Sequence, residues 1–176
     1  GKQLLLEVGC GLGNSAFPLL RANPNLFAFC MDLSPKAVSI LRHSPEYDPQ
    51  RMYAFVGDAR DPLPAFVPPQ FDFMTLIFTM SAMDPEHWAA ISQRLSERLR
   101  PGGGLLYYRD YAVGDYMPEE QQREQVGDGM WLRKDGTLVK YATPEEMRRL
   151  FGTGGADLQE VELTQLEWEA VNHKEG

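Results

Sequence analysis

The sequence predicts a doubly wound α/β domain, a largely parallel sheet with helices on both faces. Three observations carry that reading. Short apolar runs alternate with helical segments over the first two thirds of the chain, the signature of successive βαβ units. The first run, Leu4–Val8, passes straight into a loop with glycines at 9, 11 and 13. Such strand-to-helix turns let backbone approach a ligand, with the next helix N-terminus pointing at it. Acids stand at four strand ends, Glu7, Asp32, Asp58 and Asp110, and ligands of open α/β sheets bind outside those carboxyl ends.

The elements follow in order. A helix is expected over about Asn14–Arg21, and the second strand, Leu26–Met31, ends at Asp32. Ser34 is placed to cap a helix that begins at Pro35 and reaches Arg42, since proline suits the first helical position. A loop around Ser44–Gln50 leads to the third strand, Met52–Val56, which ends at Gly57-Asp58. Pro68 and Pro69 close the next connection before a fourth strand over Phe71–Phe78. A helix over Pro85–Leu99 is stopped by Pro101 and the glycines behind it, and the fifth strand is Leu105–Tyr108. The order then changes. Tyr116–Val126 is polar and reads as loop or short helix, whereas Met130–Tyr141 reads as a hairpin turning on Asp135-Gly136. Thr143 with Glu146 makes a capping box for a helix over Pro144–Phe151, and a sixth strand is expected over Leu158–Glu169.

Composition sets bounds. With 176 residues, 43% hydrophobic and 24% charged, the chain suits one soluble domain with a real core. No apolar run approaches the roughly 20 residues that cross a bilayer, so no membrane role is expected. The net charge of −8 argues against gripping nucleic acid by bulk electrostatics. Cys10 and Cys30 make no disulfide or zinc framework, and no metal is expected. Cys10 is read as a small side chain that fits the glycine loop. A reducing intracellular compartment is expected, the cytoplasm first, with nucleus and mitochondrion open. The chain opens Gly-Lys-Gln without an initiator Met and enters a strand by residue 4; a fragment of a longer protein is expected.

The loop spacing separates ligand classes. A dinucleotide fingerprint starting at Gly9 requires a third glycine at 14, which is Asn, and no Lys-Ser/Thr follows the loop as a phosphate-binding loop requires. Asp32, 23 residues after Gly9, is placed to accept hydrogen bonds from ribose hydroxyls. The glycine segment resembles the first motif of class I methyltransferases, and that resemblance implies that Asp58, with the Ala59 N–H, reads an adenine edge. Glu7 either organises the glycine loop or meets a positively charged ligand end. Strand four ends in LIFTMSAMD, which lacks the polar Asn/Asp-Pro-Pro-aromatic motif of amino-group methyltransferases. Phe78 and Met80 are read as core. His43, His87 and His173 are read as surface residues, and Trp88, Trp131 and Trp168 as core or partner contacts.

These segments together resemble a family of methyltransferase-like enzymes that form 3-methylcytidine at position 32 of the tRNA anticodon loop. EVGCGLGNSAFPLL (7–20), MDLSPKAV (31–38), VPPQFDFMTLIFTMSAM (67–83), YRDY (108–111), LRKDGT (132–137) and EAVNHKEG (169–176) carry the likeness in family order. The resemblance implies a Rossmann-like class I methyltransferase fold with an extra hairpin after strand five and a truncated last strand. It implies S-adenosylmethionine as cofactor and S-adenosylhomocysteine as product. Glu7, Gly9, Gly11, Asp32, Leu33, Asp58, Ala59 and Ile77 are the cofactor candidates, and Asp110, Tyr111 and Arg109 the catalytic ones. It implies tRNA as partner, and an aminoacyl-tRNA synthetase as a second one. Arg133, Lys134 and Lys140, clustered on the hairpin, are candidates to track the tRNA backbone. A class I methyltransferase acting on a small molecule or protein, and a non-catalytic cofactor-binding subunit, are the competing readings.

Overall fold

A computed structural model describes residues 1–115 and 122–166. Five parallel strands form the central sheet in the order β3-β2-β1-β4-β5: β1 (Gln3–Val8), β2 (Leu26–Asp32), β3 (Met52–Val56), β4 (Phe73–Ile77) and β5 (Leu105–Arg109). Chain direction across the sheet reverses between β1 and β4, which opens a crevice at their carboxyl ends.

Side chains alternate between the two faces of each strand, and each face has its own core. Leu5, Ala28, Cys30, Met52 and Ala54 pack under Phe17 and Leu20 of α1 (Ala16–Ala22) and Val38 and Leu41 of α2 (Pro35–Arg42). Leu6, Val8, Met31, Met74 and Leu76 pack on the opposite face against Trp88, Ile91 and Leu95 of α3 (Trp88–Ser96) and Met147 of α4 (Pro144–Phe151). The expected doubly wound arrangement is therefore present. Trp88 is core, its Nε1 donating to the Met80 carbonyl at 2.9 Å.

Locally encoded ends form as expected. Ser34 Oγ accepts from Ala37 N at 3.2 Å. The capping box closes with Thr143 N donating to Glu146 Oε2 at 2.7 Å and Glu146 N donating to Thr143 Oγ1 at 3.1 Å. The Pro85–Leu99 segment instead divides into a 3-10 turn, Pro85–His87, and α3, because Asp84 accepts from Glu86 N and caps the turn separately. Phe71 stands outside β4 and makes only an isolated bridge to Leu99.

Two further elements differ from expectation. The polar stretch expected as loop or short helix contains β6 (Gln122–Gly127), which joins β7 (Met130–Arg133) and β8 (Leu138–Lys140) in an antiparallel sheet. Pairing with β7, rather than apolar alternation, makes it a strand; residues 116–121 lie outside the described residues. The sixth strand does not form over 158–166. That segment is held along α4 instead, with Leu158 N donating to Phe151 O at 2.8 Å and Glu160 paired to Arg148 at 2.9 Å. The rest of that predicted strand, Trp168, His173 and the segment 169–176 lie outside the described residues.

Candidate functional site

The glycine loop is tied to the end of β2. Gly9 N and Cys10 N both donate to Met31 O, at 2.8 and 3.0 Å, Gly13 N donates to Cys10 O at 2.9 Å, and Gly11 N donates to Asp32 Oδ2 at 2.8 Å. Four loop N–H groups are thus spent inside the protein, and the carboxylates Glu7 and Asp32 stand close by. A pyrophosphate needs those N–H groups and repels those acids. Hydroxyl donors and a cationic group match the loop far better.

Gly9 has φ +75°, and a Cβ there would lie 2.3 Å from Thr79 Oγ1. Thr79 in turn donates to Val8 O and Ile77 O at 3.0 Å, so the loop packs directly onto the end of β4. Asp32 also accepts from Ser34 N at 2.8 Å through Oδ1. It therefore joins the loop to the start of α2, and each oxygen keeps a further lone pair for a ligand hydroxyl. Leu33 is exposed beside it, and Ile77 is half-buried.

Glu7 is 2% exposed, and its Oε2 has no hydrogen-bond partner. Burial raises its pKa from 4.5 to about 7; hydrogen bonds from Ser15 and the Ala16 backbone oppose this, and the nearby Asp32 charge adds to it. This placement favours the loop-organising role over direct ligand contact. Between pH 4.5 and about 7 the folded state holds a proton that the unfolded state has lost. Glu7 thus contributes stability at low pH that is lost as pH rises through 7. Glu7→Gln removes that slope, so wild type and variant diverge progressively in thermal melts from pH 5 to pH 7.5.

Asp58 sits at the end of β3 but is already engaged. Arg60 donates to it from its backbone N at 2.8 Å, from Nε at 3.0 Å and from Nη2 at 2.6 Å. The Arg60 side-chain bond is the main cause that holds its carboxyl below the usual range. An adenine amine reaching Asp58 has to share it with this guanidinium. Ala59 is buried, and its carbonyl accepts from Arg94 at 2.9 Å. Arg60 escaped the sequence reading, although an acid followed two residues later by arginine is a local signal for such a turn.

At the end of β5, Asp110 accepts from Ser81 N at 2.9 Å and Tyr111 N at 3.0 Å. Burial raises its pKa, and hydrogen bonds from the Ser81 side chain, then from the Ser81, Tyr111 and Thr79 backbone, oppose the rise. Phe78 N donates to Arg109 O at 2.8 Å, which joins the ends of β4 and β5. Phe78 is not core as expected: it is 47% exposed with φ +50°, because that backbone turn tips the ring out of the sheet. Its ring lies 5.0 Å from Tyr111, whereas Met80 is fully buried. Ser81, 29 residues from Asp110 along the chain, carries no local signal of that pairing.

The hairpin residues divide. Lys140 is buried, donating to Asp128 O at 3.0 Å and pairing with Glu146 at 3.4 Å; it is a strut of the fold, not a cation for a nucleic acid backbone. Arg133 lies over the Tyr111 ring at 5.2 Å, and Lys134 is exposed. Trp131 packs against Val139 and Tyr141. His43 is exposed and His87 half-exposed. Both cysteines are buried thiols. Among the described residues no His, Cys, Asp and Glu group could hold a metal, and no helix is long and apolar enough to cross a membrane.

This architecture, with acids around a glycine loop at the crevice, is the class I methyltransferase fold. Residues 6–105 match the family model described as methyltransferase domain, and the chain belongs to that family. The chain is 36% identical to the human tRNA N(3)-cytidine methyltransferase METTL6, over 99% of this chain and 62% of that protein. It is 39% identical to the zebrafish (Danio rerio) tRNA N(3)-cytidine methyltransferase METTL2, over 87% of this chain and 44% of that one. The chain thus spans about half of the curated relatives it matches. Among solved structures, a SAM-dependent methyltransferase from Methanosarcina mazei superposes with a TM-score of 0.68 at 17% identity, over 84% of this chain and 76% of that one. The [4+2]-cyclase SpnF gives 0.62 at 22%, over 86% and 49%. These likenesses show the fold, and a cyclase among them shows why the reaction must be argued from the site.

Proposed function

We propose that the chain binds S-adenosylmethionine at the crevice and directs methyl transfer to N3 of a cytidine in tRNA, at position 32 of the anticodon loop. The observation that carries the reading is Asp110: a carboxylate at the end of β5, aimed by two backbone N–H groups and followed by Tyr111, whose ring lies 5.0 Å from Phe78. The names of the curated relatives support the same substrate.

The residues present fit the cofactor. The Asp32 carboxylate at the loop, the Glu7 carboxyl buried behind it, and the open space over Gly11, where a Cβ would meet nothing within 4 Å, suit an adenosine joined to a cation. Bound there, S-adenosylmethionine supplies an electrophilic methyl group. In this reading Asp32 holds the ribose, Asp58 and Ala59 the adenine edge, and Gly11 lets backbone approach while Gly9 seats the loop on Thr79, with Leu33 and Ile77 beside the ring.

Cytosine N3 attacks through a neutral lone pair, so no general base is needed. The chain's task is to unstack the base, hold it in line, exclude water, and stabilise the positive charge that the ring acquires. Asp110 supplies the opposing negative charge, Tyr111 a ring wall, and Arg109 steadies the strand end or meets phosphate. With a net charge of −8, the tRNA backbone is held by local cations such as Arg133 and Lys134, or by a partner such as an aminoacyl-tRNA synthetase. The site of action is the compartment where tRNA is modified, the cytoplasm first.

The test is methyl transfer from labelled S-adenosylmethionine into a tRNA transcript and its C32-to-U counterpart. Label is expected only in the first; equal labelling of both overturns the position.

A further inference from the structure

Phe78 departs from the fold's economy in two ways. It is a large apolar side chain left 47% exposed, and its φ is +50°. Bulky residues rarely adopt that backbone region, and they keep it where surroundings over-determine it, as at ligand sites. Here the bond from Phe78 N to Arg109 O and the two Thr79 hydroxyl bonds fix the turn.

The result is a row of planar groups. The Arg109 guanidinium lies 5.5 Å from the Phe78 ring centre, Phe78 lies 5.0 Å from Tyr111, and the Arg133 guanidinium lies 5.2 Å from the other ring. Tyr111 is backed by Tyr141 at 5.8 Å. Ring faces carry negative charge density and attract planar cations. A guanidinium is a planar, delocalised cation, and so is a cytosine ring methylated at N3. Unmodified cytosine is equally flat but neutral.

We infer that Phe78 is the platform on which the acceptor base lies, and that its ring binds the base more tightly as the base becomes cationic. Arg109 leaves the ring when the base arrives. Such an interaction is stronger in the transition state than in the ground state, so it raises turnover rather than substrate affinity. The inference rests on the proposed cytidine N3 chemistry and adds a residue that chemistry alone does not name.

Phe78→Leu keeps an apolar side chain without a ring, and Phe78→Trp enlarges the ring. In nucleoside titrations at pH 7, the wild-type protein is expected to prefer 3-methylcytidine over cytidine about fivefold. The preference disappears in Phe78→Leu and survives in Phe78→Trp. Turnover on tRNA falls about tenfold in Phe78→Leu with the KM for tRNA little changed. S-adenosylhomocysteine affinity and melting temperature stay close to wild type, because the side chain is half exposed and stands outside both cores. If Phe78→Leu keeps both the nucleoside preference and wild-type turnover, the inference fails while the proposed function stands. If the variant instead melts early and loses cofactor binding, Phe78 is a packing residue and the inference also fails. Wild-type protein that makes no 3-methylcytidine in tRNA overturns the proposed function itself, and this inference with it.

Discussion

Asp110→Asn is expected to lower tRNA methylation by about 10²–10³-fold, the usual cost of deleting one preorganised electrostatic stabiliser. The carboxylate is held by Ser81 N and Tyr111 N, so it meets the base without reorganising. Asparagine keeps the shape but carries no charge. It also offers only one oxygen where two N–H groups point, so a modest loss of stability accompanies the change. The pH profile separates the two effects. Burial raises the Asp110 pKa, and the reaction needs the ionised form. Wild-type turnover therefore falls with acid at a higher pH than an ordinary aspartate would give, whereas the residual turnover of Asp110→Asn lacks that limb. A variant with lost stability but near-normal turnover and an unchanged profile would make Asp110 a loop-shaping residue only.

Gly9→Ala is expected to unfold the protein at a much lower temperature and to abolish cofactor binding. The new Cβ would meet Thr79 Oγ1 at 2.3 Å and Cγ2 at 2.6 Å, at φ +75°. The backbone conformation costs a residue with Cβ about 1–2 kcal/mol, and overpacking adds about 1–3 kcal/mol. At roughly 2–4 °C per kcal/mol for a domain of this size, the melting temperature drops by about 10 °C. Adding Thr79→Ala removes the closest atoms, so the double variant is expected to melt above Gly9→Ala alone. Additive losses in that cycle would show that the close approach is not the cause.

Much of the architecture was legible because its signals are local. The glycine spacing, the Ser34-Pro35 helix start and the Thr143–Glu146 box are each decided within a few residues, and each forms. The acids at strand ends were legible too, since each closes or closely follows an apolar run and so falls at a strand's carboxyl end. What escaped the sequence depends on partners far along the chain. Gln122–Gly127 is a strand because β7 pairs with it. The stretch after Leu158 is not one in the described residues, because α4 holds it through Arg148 and Phe151. Lys140 read as a surface cation but is buried against Asp128 and Glu146. Phe78 read as core from its apolar neighbours, and only the backbone turn at φ +50° reveals that it faces out.

The most direct test of the account is nucleoside analysis of tRNA after reaction with the protein and S-adenosylmethionine. The account predicts 3-methylcytidine as the new nucleoside, made by wild type and nearly absent with Asp110→Asn. Methylation of a different atom or base, or undiminished 3-methylcytidine from Asp110→Asn, would contradict it.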